Sequence, residues 1–151
     1  MKTFKVPKAP SEILLNFLVS ESLVSSDSKK DWFCTAGGLT DNPDNTIAIY
    51  DTTPFIDGYI LETGEPIKHF GISVTTRSLK YPNGWQKAEE LEAFMCASSK
   101  SLMFMGDDYQ LTLDSFVLSS GVHFFGNETK NNRKLFQFSG RLSISIQMGV
   151  S

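Results

Sequence analysis

KHFGISVTTRSLKYPNGWQKAEELEAFMCA, residues 68–97, is the stretch whose reading decides the fold. In its first part Phe70, Ile72 and Val74 alternate with Gly71, Ser73 and Thr75, the period of a strand with one buried face. Tyr81-Pro-Asn-Gly84 then reads as a turn, because the proline presets φ and the Asn-Gly pair tolerates positive φ. From Trp85 to Ala97 the pattern changes to a helix. Trp85, Ala88, Leu91 and either Phe94 or Met95 share one face, while Lys87, Glu89, Glu90 and Glu92 lie largely off it. A helix with that stripe lies back on the sheet to which the preceding strand belongs.

Working outward, Pro10 suits a helix start and Glu12 favours its positive end, with Ile13, Leu14, Leu15, Phe17, Leu18, Val19, Leu23 and Val24 following. The apolar residues go most of the way round, so this helix is either sunk in its own core or shared with a neighbouring subunit. Residues 1–9 ahead of it read as a loose arm. Ser25 to Asp31 is a polar connector, Trp32-Phe-Cys34 a short apolar piece, and Gly37 to Asn45 a turn-rich loop. Thr46 to Tyr50 is a strand expected to stop at Asp51-Thr-Thr-Pro54, and residues 52–66, rich in Pro, Gly and large apolar side chains, read as a long partner-facing loop. The alternative is that this loop packs on its own sheet.

Beyond the central helix, Leu102 to Met105 fits a segment packed under the sheet. Tyr109 to Leu118 and Gly121 to Gly126 read as two strands, and Asn127 to Arg133 as a polar turn. The last strand has the clearest alternation, with Phe136, Phe138, Leu142, Ile144 and Ile146 at even positions. Gly140 on that side marks a bulge or a close approach. The expected fold class is therefore α+β, a single domain with a mostly antiparallel sheet covered by two helices.

The chain has 151 residues, the usual size of one domain, and on folding about two-thirds of its unfolded surface is expected to be buried. A net charge of −3 argues against a protein that grips nucleic acid through its phosphates. Cys34 and Cys96 read as two buried free thiols in a reducing cytoplasm. Pro7, Pro10 and Glu12 interrupt anything resembling a signal peptide, and Ile13 to Val19 is too short to cross a bilayer, so a soluble protein without membrane partners is expected. Asn127-Glu-Thr129 matches a glycosylation acceptor by chance in a polar turn.

The sequence carries no catalytic, metal or cofactor constellation. His69 and His123 stand in strands without metal spacing, and Asp107-Asp108 and Glu89-Glu90 are neighbours whose side chains diverge. Gly37-Gly38 lacks the lysine and helix of a phosphate loop. Asp41, Asp44 and Asn45 form a turn rather than a calcium loop, since its glycine and distal glutamate are missing.

The order of short signatures is more informative. Trp32, Ile47-Ala-Ile-Tyr-Asp-Thr52, Ile72-Ser-Val-Thr-Thr-Arg77 with Tyr81, Ala88-Glu-Glu-Leu91 and the strand Phe136 to Ile146 follow one another from about Ser11 to Gln147. In this order the chain resembles the tail terminator proteins of long-tailed bacteriophages, also called minor capsid or tail completion proteins. It departs from them at Ser78, where a glycine commonly follows the arginine, and in the extra Pro82-Asn-Gly84. The resemblance implies a non-enzymatic virion protein, assembled in the host cytoplasm, that caps the tail tube at the tail–head junction as a homo-hexameric ring. Its implied partners are the tail tube protein and the head completion protein, with DNA passing through the lumen without specific binding.

For the subunit or tail-tube interface the expected residues are Asp51, Thr52, Phe55, Ile56, Tyr59, Arg77 and Tyr81, with the loop Phe55 to Leu61 and the N-terminal arm contacting the tail tube or a neighbouring subunit, and Arg77 and Asp51 as a charged pair crossing the ring contact. For each the alternative is an ordinary surface charge or a local core contact. The competing readings are a head completion or connector protein and, in a different class, a small ligand-binding or enzymatic α+β domain.

Overall fold

The computed structural model describes residues 9–59, 66–97, 104–105, 109–129 and 131–148, and the side chains of 53–59, 66–69, 104–105, 109–114 and 144–148 are outside that description. Along the chain come α1 (Pro10–Ser20), β1 (Phe33–Ala36), β2 (Thr46–Tyr59), β3 (Pro66–Ser78), α2 (Tyr81–Cys96), β4 (Phe104–Met105), β5 (Tyr109–Asn127) and β6 (Lys134–Met148). They form a six-stranded sheet in the order β1-β2-β3-β6-β5-β4. Every pairing is antiparallel except β1 with β2. This is the α+β architecture expected from the sequence.

Both helices lie on one face. The pairs Val74 with Ile49 and Val74 with Phe138 put these side chains together on that face, along with Ile47, Ile72 and Phe136. α1 covers the β1-β2-β3 half and α2 the β3-β6-β5 half, and the helices meet where Phe17 and Phe94 pack with ring centroids 5.4 Å apart. Ile13, Leu14, Phe17 and Leu18 of α1 are buried against the sheet and Leu15 and Val19 are packed at the margin, so this helix sits in the core of its own chain. Cys34 on β1 is buried in the same core, and burial pushes its thiol up to about 12. Cys96, expected to be buried as well, is exposed, because it is the last residue of α2 and lies past the stripe that faces the sheet.

Four further expectations need correction. First, β3 is not buried on one face only. It lies between β2 and β6, and Ser73 and Thr75 on the face away from the helices are buried with Phe70, Ile72 and Val74. Second, β2 does not stop at Asp51. Its pairing with β3 shifts between Thr52 and Phe55 and then continues to Tyr59 opposite Pro66, because a proline is accommodated where a bulge removes the demand for its missing N–H. Residues 52–59 of the expected partner-facing loop are therefore strand, and residues 60–65 lie outside the described part, as do 1–8 of the expected arm.

Third, β5 is one long strand, not two. The pairing with β6 shifts register at Leu113/Ser115, Leu118/Ser120, Ser120/His123 and Phe124/Gly126, and these irregularities break the alternation on which a sequence reading depends. Fourth, the Tyr81 to Gly84 turn is the first turn of α2. A proline there forfeits an N–H that has no partner within the helix in any case. Gly84 is needed for packing, since a Cβ would stand 2.6 Å from the Phe136 ring. Gly140 is the close approach expected at that position, for a side chain there would collide with the Phe116 ring and the Val117 carbonyl.

Candidate docking surface

The functional reading turns on the corner of the sheet where β3 ends, α2 begins, β5 ends and β6 begins. Two arrangements of side chains share it.

The first is ionic and buried. Arg77 and Arg133 are only 2 % and 1 % exposed. Arg77 Nε donates to the Asp44 carbonyl at 3.2 Å, Nη2 to the carbonyls of Thr40 and Pro43 at 2.5 and 2.8 Å, and Nη1 to the Glu128 carboxylate at 3.2 Å. Arg133 Nη1 donates to the Asp41 carbonyl at 2.6 Å and to Asp44 Oδ1 at 3.3 Å. Its Nη2 reaches Asp41 Oδ1 at 3.2 Å and also Glu128, which takes a further bond from Nε at 3.1 Å. The loop 37–45, with a cis Asn42–Pro43 peptide, is thus wrapped around a guanidinium much as an oxygen-lined loop wraps a metal cation.

Burial and the charge of Arg133 lower the Arg77 pKa. At Arg133 burial acts in the same direction, but hydrogen bonds to Glu128 and Asp41 outweigh it and the pKa rises. Burial alone would raise Glu128, and its hydrogen bond to Arg133 with the charge of Arg77 reverses this, holding it below the ordinary carboxylate value.

The second arrangement is aromatic and open. Tyr81, on the first turn of α2, packs edge-on against Phe136 at 4.8 Å and beside Phe124 at 5.6 Å. Trp85, one turn further on, meets Phe136 at 5.9 Å and lies nearly parallel to Tyr81, with centroids 6.4 Å apart. Phe136 is fully buried, but Tyr81 is 46 % exposed and Phe124 43 %, with Leu79 and Phe125 also exposed. Tyr81, Pro82, Trp85 and Gln86 line an open apolar cleft of about 390 Å³. A polar cleft of about 460 Å³ opens nearby, lined by residues that include Asp31, Pro43, Asp44, Ser78, Lys80 and Asn83. Exposed aromatic residues gathered round such a cleft make this corner a candidate contact surface.

No protein-family model matches the chain, and a search of curated proteins returns no match. The assignment of the corner therefore rests on its geometry.

The expected interface residues do not form one site. Tyr81 lies in the aromatic corner. Arg77 ends at the same corner, each nitrogen of its guanidinium is bonded within the chain, and within one chain it does not pair with Asp51. The strand register puts Asp51 opposite Ile72 and Arg77 opposite Thr46, on opposite faces. Asp51 instead accepts from the Ser11 N–H at 2.9 Å and the Ser11 hydroxyl at 2.5 Å, placing a carboxylate at the positive end of α1, where Ala9 offers no side-chain cap. Thr52 is exposed beside it. Phe55, Ile56 and Tyr59 are placed in β2 by their backbone pairing, and their side chains lie outside the described part.

Sequence reasoning missed Arg133, Glu128, Leu79, Phe124 and Phe125 as members of this corner. One signal was present. Phe124 and Phe125 are adjacent in a strand, and adjacent strand residues point to opposite faces, so a single core cannot take both.

His123 Nδ1 lies 2.9 Å from the Gly121 carbonyl on the surface. Among the described residues no three His, Cys, Asp or Glu side chains are grouped to hold a metal ion.

Proposed function

We propose that this chain is a structural virion protein of a long-tailed bacteriophage that caps the tail tube as a hexameric ring and presents the surface to which the filled head attaches. The observation that carries this reading is the convergence of the signature segments. Ile47 to Thr52 and Ile72 to Arg77 are adjacent antiparallel strands, Phe136 to Ile146 lies on the other side of the second, and Ala88 and Leu91 of α2 are fully buried over them. Segments far apart in sequence thus build one unit, with the aromatic corner at its edge as the surface for contact with tube, head protein or neighbouring subunit.

Size and charge support the same reading. A globule of this length has a radius of gyration near 15 Å and a diameter of roughly 38 Å, so six in a touching ring leave an opening of about that width, enough for a DNA duplex. Six copies at −3 each carry about −18, which repels a passing polyanion rather than gripping it.

Light scattering coupled to size exclusion at several concentrations tests the proposal. A closed six-subunit species, or six copies assembled on added tail tubes, is the expected result. A chain that stays monomeric at every concentration and does not bind purified tubes overturns it.

A further inference from the structure

We propose that the apolar cleft at the start of α2 receives residues 1–8 of a neighbouring copy of this chain. The inference rests on the ring reading for the presence of a neighbour and deepens it by naming both sides of one contact.

The cleft has a definite chemistry. Tyr81 and Trp85 supply near-parallel aromatic faces, Pro82 and Gln86 complete the wall, and Phe124 packs alongside Tyr81. Glu89 is exposed one helical turn beyond Trp85, so the groove continues toward a carboxylate. Lys87 projects elsewhere, for its ammonium pairs with Glu90 at 3.5 Å and lies 5.7 Å from the centre of the Trp32 ring. An aromatic groove with a negative end suits an extended segment that carries proline, an apolar side chain and positive charge.

Residues 1–8, Met-Lys-Thr-Phe-Lys-Val-Pro-Lys, have that composition and contain no acidic residue. Lys2, Lys5 and Lys8 recur every third residue, as do Phe4 and Pro7. A partner-bound segment with a three-residue period would turn one basic edge toward Glu89 and one apolar edge toward Tyr81 and Trp85.

The path, more than the length, favours a neighbour's segment over the chain's own. The segment leaves from Ala9, beside Ser11 and its partner Asp51, while the cleft begins beyond Ser78. Asp51 is in register with Ile72, so the stretch of β3 from there to Ser78 alone separates the two by about 20 Å. Eight residues span at most roughly 26–29 Å fully extended, and the route within one chain crosses the helices that cover this face. A contact between two different patches on successive copies is head-to-tail, the kind that closes into rings.

The test uses the full chain with a photoreactive benzoyl-phenylalanine in place of Phe4, mixing isotopically light and heavy copies before irradiation. Cross-links from position 4 of one isotope form to residues 81–89 or 124 of the other are expected, reduced several-fold by Glu89→Lys, which changes an exposed residue. Cross-links within one copy, to other residues, unchanged by Glu89→Lys, or absent between copies each overturn the docking. Light scattering on the same samples separates this from the ring reading. Six-subunit rings with cross-links elsewhere sink the docking alone, whereas cleft cross-links in dimers or open chains retain it and sink the hexamer.

Discussion

The ionic and aromatic halves of the sheet corner begin within a few residues of each other, at Arg77 and Tyr81, and handle their side chains in opposite ways. The guanidiniums are sealed inside, each bonded to carbonyls and carboxylates of its own chain. The rings are packed on a buried Phe136 and left open to solvent. A charge at a strand end is therefore no guide to an interface, because a charge removed from water needs its partners already in place, whereas a half-exposed aromatic ring retains apolar area that a partner can still cover.

The sharpest way to break this contrast is Arg133→Ala. It removes the cation that Glu128, Asp41 and Asp44 share, while Glu128 keeps Arg77 and the two aspartates reach solvent, and a loss of about 2–3 kcal/mol is expected, read as the shift in urea midpoint. Gly84→Ala probes the aromatic side by forcing a Cβ against the Phe136 ring, and a cost of about 1–3 kcal/mol is expected in the same measurement.

Acid probes the ionic half alone. Glu128 has a lowered value in the folded chain, so its contribution is present at neutral pH and is lost as the pH falls from about 4.5 through that lowered value. In Glu128→Gln the decline of stability over this range is expected to be shallower than in the parent, followed by chemical denaturation at stepped pH. Asp51→Ala, away from the corner, removes the carboxylate from the start of α1 and is expected to cost about 1 kcal/mol. Smallest of all, Glu89→Lys on the open side is expected to move stability by less than about 0.5 kcal/mol, so any change it makes in association reports on the surface and not on folding.

What was legible in the sequence follows the range of the physics. Pro10 marked the start of α1 because a local φ constraint decides it, and Ile72, Val74, Phe136 and Phe138 declared themselves by alternation. The partners of Arg77 stand 33 to 51 residues away and those of Arg133 up to 92, so no local pattern announces that these charges are buried. The length of β5 was hidden by its register shifts, and the extension of β2 by Pro54, which is read as a stop unless the bulge beside it is known. Tyr81, expected in a turn, opens a helix instead. Its side chain emerged at the surface all the same, since the first residue of a helix is placed by the strand before it.

The buried Cys34 has one consequence that belongs to kinetics. A thiol held at about 12 is almost wholly protonated at neutral pH, and the thiolate is the form that reacts. Alkylation at Cys34 therefore waits for α1 to lift from β1. With Cys96 replaced by serine, the rate of labelling becomes a clock for that opening, ticking once for each excursion of the core.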